Sequence, residues 1–356
     1  MVSSHLLIYL CVLCAKASAV HGFPPPLIGN KVMNGNEKLP ENSIKEENCS
    51  NLHSHSNDKM NMEGVGAKSA PIDSSNWSPQ KPFLAIITET DAVSSSIRME
   101  QTFDALSKAM SSGYVDLISI RCLKESDDDT DDVEGLSFQG RVVALTKRII
   151  SHRNELRMQS LQFYNDSLDT SKQVEKRLPQ IVINDNIEAV LASGADGIHV
   201  KERNKKDIPK IRELFERQGS SEAFNIIGTS CHSIQSAKEI LDLKVSNDKV
   251  TKASSIVDYL FVGTCYMTKS HPEKTKEDDL EGPTLPGLVR ETLYRDGNDK
   301  IIIPKIFAIG GISEGNCWEP VHLGADGVAM IRSVMQADDP EYATRNMHKA
   351  MKNYKI

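Results

Sequence analysis

The chain lacks an excess of positive charge: 42 Lys and Arg stand against 49 Asp and Glu, a formal charge of −7. A general nucleic-acid binder needs a basic surface to displace counterions, so nucleic acid is not expected as a partner. A small phosphorylated molecule stays open, because a few local cations can bind one. Cysteine is scarce too. Seven cysteines in 356 residues do not make a disulfide-dense secreted miniprotein. Cys11 and Cys14 fall in a segment expected to be cleaved, and the remaining five are an odd number, so at least one thiol is free or paired between chains. No stretch reaches the about twenty apolar residues that span a bilayer, so no membrane is expected for the mature form. The 39% hydrophobic content is low for a globular enzyme because the first eighty or so residues are mostly not core sequence.

The opening MVSSHLLIYLCVLCAKASAVHGF carries a short apolar run, Leu6 to Leu13, and small residues at Ala17-Ser18-Ala19. This is a signal-peptide pattern, assigned to residues 1–19. Residues 20–81 form a polar leader rich in Asn, Ser, Lys, Glu and Pro, too poor in apolar surface to offset ordering entropy and expected to be disordered. A signal followed by such a leader resembles the two-part presequences that reach plastids through the endoplasmic reticulum. Plain secretion is the rival. Three triplets, at Asn48, Asn76 and Asn165, fit the N-glycosylation pattern, which arises easily by chance.

From Pro82 short apolar runs alternate with amphipathic segments. The runs are 83–88, 117–123, 180–184, 197–200, 225–230, 259–266, 305–311 and 327–331. Their near-continuous Ile, Val and Leu content suits strands buried on both faces of a parallel sheet. Between them Met99, Phe103, Leu106 and Met110 keep helical spacing, with Gly113 as the stop. Ile208, Ile211, Leu214 and Phe215 repeat it, and Ser233 can cap a helix carrying Ile234, Ala237 and Leu241. Eight such units over 82–356 predict a (β/α)₈ TIM barrel preceded by the leader. A doubly wound open sheet is the alternative, but it usually carries a Gly-rich dinucleotide loop after its first strand, and none is present. Gly194-Ala195-Asp196-Gly197-Ile198 recurs as Gly324-Ala325-Asp326-Gly327-Val328, which places a helix-ending glycine before strands four and eight.

Barrel active sites lie at the C-terminal strand ends. That rule selects Arg121 and Lys124 after strand two, Asn184 and Asp185 after three, His199 and Lys201 on four, and Ser230 and His232 after five. It adds Thr268, Lys269, Ser270 and His271 after six, Gly310 and Gly311 after seven, and Arg332 and Ser333 after eight. The glycine pair, with Ser313 as an expected helix cap, offers backbone amides to an anion. A tight turn needing two glycines is the plainer reading. Arg121, Lys124, Lys269 and Arg332 would make the mouth cationic and suit a diphosphate. Asn184-Asp185 suits a Mg²⁺–phosphate site or a helix cap. His199, in an apolar strand, reads as a satisfied core histidine, and His232 as an acid/base candidate. The acidic loop 125–134 lacks EF-hand spacing and reads as a solvated insertion. Cys122, Cys231 and Cys265 show no metal-site spacing and read as reduced thiols.

Taken in order, Ile181–Asp185, Gly194–His199, Ile227–Ser233, Phe307–Ile312 and Gly324–Ala329 resemble the thiamine phosphate synthase and thiazole tautomerase family, over essentially all of 82–352. The resemblance implies a (β/α)₈ barrel that joins an aminopyrimidine methyl diphosphate to a thiazole phosphate, with Mg²⁺, releasing pyrophosphate. Arg121, Asn184, Ser230 and Lys269 would then touch the diphosphate. Asp185, helped by Asn204, would hold Mg²⁺. Thr268, Gly310 and Gly311 would hold the thiazole phosphate, and Lys124, Ser270, Arg332 and Ser333 are further substrate-binding candidates at the strand ends. Departures cluster on the diphosphate side. Lys124 comes one place later than the family lysine, Thr268-Lys269-Ser270-His271 shifts a threonine–lysine pair, and Lys201-Glu202-Arg203-Asn204 replaces a G-Q-x-D-like stretch. The tautomerase branch, with His232 as acid/base, is therefore the alternative, and a non-catalytic barrel that binds phosphate ligands is the third. A homo-oligomer is compatible with the sequence.

Overall fold

The computed structural model describes residues 82–122, 135–166, 178–217, 226–243, 256–296 and 303–353. The signal segment, the leader, Lys124 and the acidic loop 125–134 lie outside them. Eight strands are described: β1 (Phe83–Ile87), β2 (Leu117–Ile120), β3 (Gln180–Asn184), β4 (Gly197–Val200), β5 (Ile226–Cys231), β6 (Tyr259–Val262), β7 (Lys305–Ile309) and β8 (Gly327–Met330). They form one closed barrel in chain order, every neighbouring pair parallel, with β1 against β8. The closure rules out the open sheet. The observed strands are shorter than several of the apolar runs because the last residues of those runs turn out into the loops that form the mouth.

The helices are α1 (Ser96–Ser111), α2 (Phe138–Asp166), α3 (Ile187–Ser193), α4 (Ile208–Arg217), α5 (Ile234–Leu241), α6 (Leu285–Asp296), α7 (Trp318–His322), α8 (Arg332–Met335) and α9 (Pro340–Asn353). Among the described residues none is long and apolar enough to cross a membrane. In α1, Met99, Leu106 and Met110 are buried as their spacing predicts, and Gly113 takes a left-handed φ of 75° just past the end. Ser233 caps α5 by accepting the Ser236 amide at 3.0 Å. Ser313 does not cap a helix. Asn316 takes over that corner: its side chain accepts the Ser313 amide at 2.7 Å and donates to the Gly311 carbonyl at 3.0 Å, and α7 starts only at Trp318.

Two apolar layers follow from the double burial of the strands. The larger lies between sheet and helices and includes Leu84, Ile118, Ile183, Ile227 and Val328. The smaller fills the barrel with Ala85, Ile87, Leu117, Val182, Tyr259, Phe261, Phe307 and Ala329. Burying side chains of this size stabilises by about 1.5–3 kcal/mol each. Gly228 is required here, because a Cβ at that position would lie 2.0 Å from the Tyr259 ring.

The repeated aspartate of the Gly-Ala-Asp-Gly segments has a physical reason. The Asp196 carboxylate accepts the amide of Ile181 at 2.7 Å and that of Asp326 accepts Ile306 at 2.8 Å. Asp116 and Asp258, outside those segments, do the same for Leu84 and Ile227, each at 2.8 Å. Each aspartate immediately precedes an even strand and ties down the start of the odd strand before it. Arg153, Arg212 and Arg290 pair with Asp196, Asp258 and Asp326. The end of the barrel opposite the mouth is thus closed by polar clamps, which leaves the C-terminal rim free for chemistry.

Candidate active site

The C-terminal rim surrounds a cavity of about 640 Å³. Arg121, Asn184, Ser230, His232, Thr268, Lys269, Ser270, Gly310, Gly311, Arg332 and Ser333 all line it. Of the residues selected from sequence, Asp185 and Asn204 do not line it, and Lys124 is outside the described residues. The cavity also takes in Lys201, Glu202, Arg203, Met267, His271 and Gln336. Glu202 and Arg203 belong to a 3₁₀ turn, Glu202–Asp207, so a rule that reads only strand ends passes over them. Five cations (Arg121, Lys201, Arg203, Lys269 and Arg332) meet a single carboxylate, Glu202, on the lining. This cationic mouth sits in a chain of net negative charge.

Arg121 is anchored through its backbone. Its amide donates to Thr88 Oγ1 at 2.8 Å, and that hydroxyl donates back to the Arg121 carbonyl at 3.0 Å. Its guanidinium makes no ion pair among the described residues, and burial lowers its pKa from the usual arginine value. A partly buried guanidinium without a counter-charge is costly unless an anion arrives to meet it. Lys269 and Arg203 likewise make no ion pair among the described residues. Beside Arg121, the Asn184 carbonyl oxygen accepts the Ser119 hydroxyl at 2.5 Å, which turns the amide –NH₂ away as a free donor.

His199 forms part of the floor. It is 2% exposed, with Nδ1 3.1 Å from the Tyr259 hydroxyl and Nε2 3.0 Å from Ser230 Oγ. Burial pushes its pKa down to about 3, so it is a neutral, satisfied core histidine that fixes the Ser230 hydroxyl. His232 stands at the wall. Its Nδ1 is in hydrogen-bond contact with the Gly263 carbonyl, which can only accept, so Nδ1 carries a proton. Its Nε2 lies 3.9 Å from Glu202 Oε2.

The glycine pair also lines the cavity. Gly310 and Gly311 have φ of 99° and 64°. A Cβ on Gly310 would meet Thr264 at 2.5 Å, and one on Gly311 the Met267 carbonyl at 2.5 Å. The pair therefore serves the turn, by letting the β7 exit pack on the β6 loop, and it also lines the cavity. Arg332 donates to Thr268 Oγ1 at 3.0 Å, and Ser333 Oγ to the Ile312 carbonyl at 2.5 Å.

Asp185 is held in a left-handed backbone at φ 50°, the one non-glycine residue of positive φ among the described residues. Its Oδ1 accepts the Lys201 amide at 2.8 Å. Its Oδ2 lies 3.2 Å from Lys201 Nζ and 3.3 Å from the Asn204 side-chain amide. Asp185 and Asn204 are thus brought together as predicted, but they face each other and an ammonium group. Among the described residues no cluster of three or more His, Cys, Asp or Glu could hold a metal ion. A carboxylate whose two oxygens both receive N–H donors, next to a neutral amide, does not fit a divalent cation that wants oxygen ligands. The cysteines are neutral: all four described ones are free thiols, and burial pushes Cys122 and Cys265 up to about 12 and Cys231 to about 11.

A family model described as thiamine monophosphate synthase (TMP-TENI) matches residues 137–334. The matched stretch runs from α2 to α8; β1 and β2, with Arg121, precede it. The thiamine-phosphate synthase of Archaeoglobus fulgidus is 30% identical over 210 residues, 56% of this chain and 83% of that protein. That of Methanobrevibacter smithii is 30% identical over 202 residues, 56% of this chain and 79% of that protein. Among solved structures, the thiamine phosphate pyrophosphorylase from Pyrococcus furiosus is similar at a TM-score of 0.49 and 20% identity, over 77% of this chain and 97% of the other.

Proposed function

Because this chain belongs to the thiamine monophosphate synthase family, we propose that it joins an aminopyrimidine methyl diphosphate to a thiazole phosphate and releases pyrophosphate. The observation that carries this reading is Arg121: a partly buried guanidinium without an ion pair among the described residues, on the wall of a mouth where five cations meet one carboxylate. A tautomerase would take one substrate, a thiazole phosphate carboxylate, and has no diphosphate to place. Two sets of anion-binding groups line the cavity: the cations Arg121, Lys201, Arg203 and Lys269, and the Gly310–Gly311 pair with Arg332 held on Thr268. The diphosphate belongs to the first and the thiazole phosphate to the second.

The chemistry asks for little proton transfer. The bond between the pyrimidine methylene carbon and the diphosphate oxygen breaks, and its electron pair leaves with the diphosphate. The thiazole nitrogen then gives its lone pair to the methylene cation. Arg121, Lys269 and the Asn184 and Ser230 side chains stabilise the developing negative charge, and the cavity holds the two rings in line. Mg²⁺, expected from the resemblance with Asp185 and Asn204 as its residues, meets a donor set that does not suit it, so the charge is carried by the chain's own cations. Residues 1–19 and 20–81 serve as signal and leader, and direct the barrel into the secretory pathway, with the plastid as destination.

Incubation with both phosphorylated precursors should release pyrophosphate, and Arg121→Ala should lower kcat/KM by about a hundredfold, the scale expected for one charge-stabilising group. Isomerisation of the thiazole phosphate without pyrophosphate, lost in His232→Ala, would replace this reading with the tautomerase. Saturable phosphate-ligand binding with no turnover would leave the non-catalytic binder.

A further inference from the structure

We propose that the Lys201 ammonium occupies the role of a divalent cation, so that the diphosphate is bound and released without Mg²⁺. The inference rests on the synthase reading above and deepens it.

Lys201 engages Asp185 twice, through its amide at 2.8 Å from Oδ1 and through Nζ at 3.2 Å from Oδ2. Asn204 adds its side-chain amide to Oδ2 at 3.3 Å. The positive φ of Asp185 is a strained backbone for a residue with a Cβ; here it accompanies a carboxylate held against these donors. Mg²⁺ is bound mainly through carboxylates and substrate oxygens in near-octahedral geometry. At this site it would have to displace an ammonium from the one carboxylate available, against like-charge repulsion. Glu202, the carboxylate on the cavity lining, is directed elsewhere, at the His232 amide and ring. Lys201 itself lines the cavity, so the ammonium that neutralises Asp185 also faces the substrate space. Arg121, Arg203 and Lys269, none of them ion-paired among the described residues, supply the remaining positive charge. A leaving diphosphate then finds its counter-charge in fixed side chains. The bond broken and the bond formed are those of the synthase step, and no proton or electron is needed from outside.

The full-length chain tests this. Pyrophosphate binding, read by calorimetry, and pyrophosphate release from the two precursors should each change less than about threefold between EDTA and millimolar Mg²⁺. The spectrum of free aqueous Mn²⁺ should show no loss attributable to Asp185, so wild type and Asp185→Asn should take up the same amount of the ion. Lys201→Gly combined with Asn204→Asp should gain Mn²⁺ binding and make pyrophosphate binding metal-dependent. Mn²⁺ uptake by the wild type that disappears in Asp185→Asn, or pyrophosphate binding abolished by EDTA, would overturn the proposal while leaving the synthase reading intact. Metal-free pyrophosphate binding without turnover would overturn the synthase reading and leave the metal-free anion site standing.

Discussion

His199 shows how one buried side chain can link fold, site and pH. Its ring is wedged between Tyr259 and Ser230 and stacks near Phe261, with centroids 4.6 Å apart. Burial holds its pKa near 3 in the folded chain, against about 6.5 when unfolded. Between those values the unfolded chain binds a proton that the folded chain refuses. The stability that His199 contributes is therefore complete above about pH 6.5 and is lost as pH falls toward 3, by up to about 1.4 kcal/mol per pH unit. His199→Asn should flatten the acid side of the stability profile by about one proton, whatever it does to stability at neutral pH. Urea midpoints at pH 7, 6 and 5 would read this, and parallel profiles for the two proteins would refute it. The histidine's core role was legible from its apolar strand. The pairing of Lys201 with Asp185 was not, because it depends on the β3–β4 register, which sets Asn184 against His199 and so brings the residue after β4 beside Asp185.

At the scale of elements, the four aspartates before β2, β4, β6 and β8 set the register of the barrel. Asp326 is the most instructive. It is 6% exposed, accepts the Ile306 amide at 2.8 Å and pairs with Arg290. Asp326→Ala leaves a buried amide without its acceptor and removes the carboxylate from a guanidinium, at a cost of about 3 kcal/mol. Asp326→Asn can still accept the amide and should cost clearly less. Denaturant unfolding would check the order, and an alanine variant within about 0.5 kcal/mol of wild type would count against the clamp. The strands could be read from sequence because burial on both faces writes a continuous apolar run. The repeat of Gly-Ala-Asp-Gly announced half of the clamps; Asp116 and Asp258 carry no such flanking motif, so their equivalence emerges only from the register. The helix start after β7 was misplaced for a related reason. Ser313 and Asn316 are both good local acceptors, and the sequence does not say which wins the corner.

For the whole molecule, every ladder pairing of the barrel lies between Phe83 and Met330, including the β1–β8 closure. No strand before Phe83 is needed to complete the sheet, and every described lining residue of the cavity lies within the same span or just after it, from Ile87 to Gln336. Addressing and catalysis should then separate cleanly along the chain. A protein starting at residue 82 should unfold within about 2 °C of the full chain and release pyrophosphate at the same rate. Residues 1–80 fused to a fluorescent protein should carry it through the secretory pathway to the plastid. Calorimetry and kinetics on the shortened chain check the first arm. A large fall in Tm would mean that the leader packs on the barrel and is part of the fold. Imaging of the fusion checks the second arm. Fluorescence in the medium would replace the plastid with secretion, and fluorescence left in the cytosol would remove the signal assignment to residues 1–19 altogether.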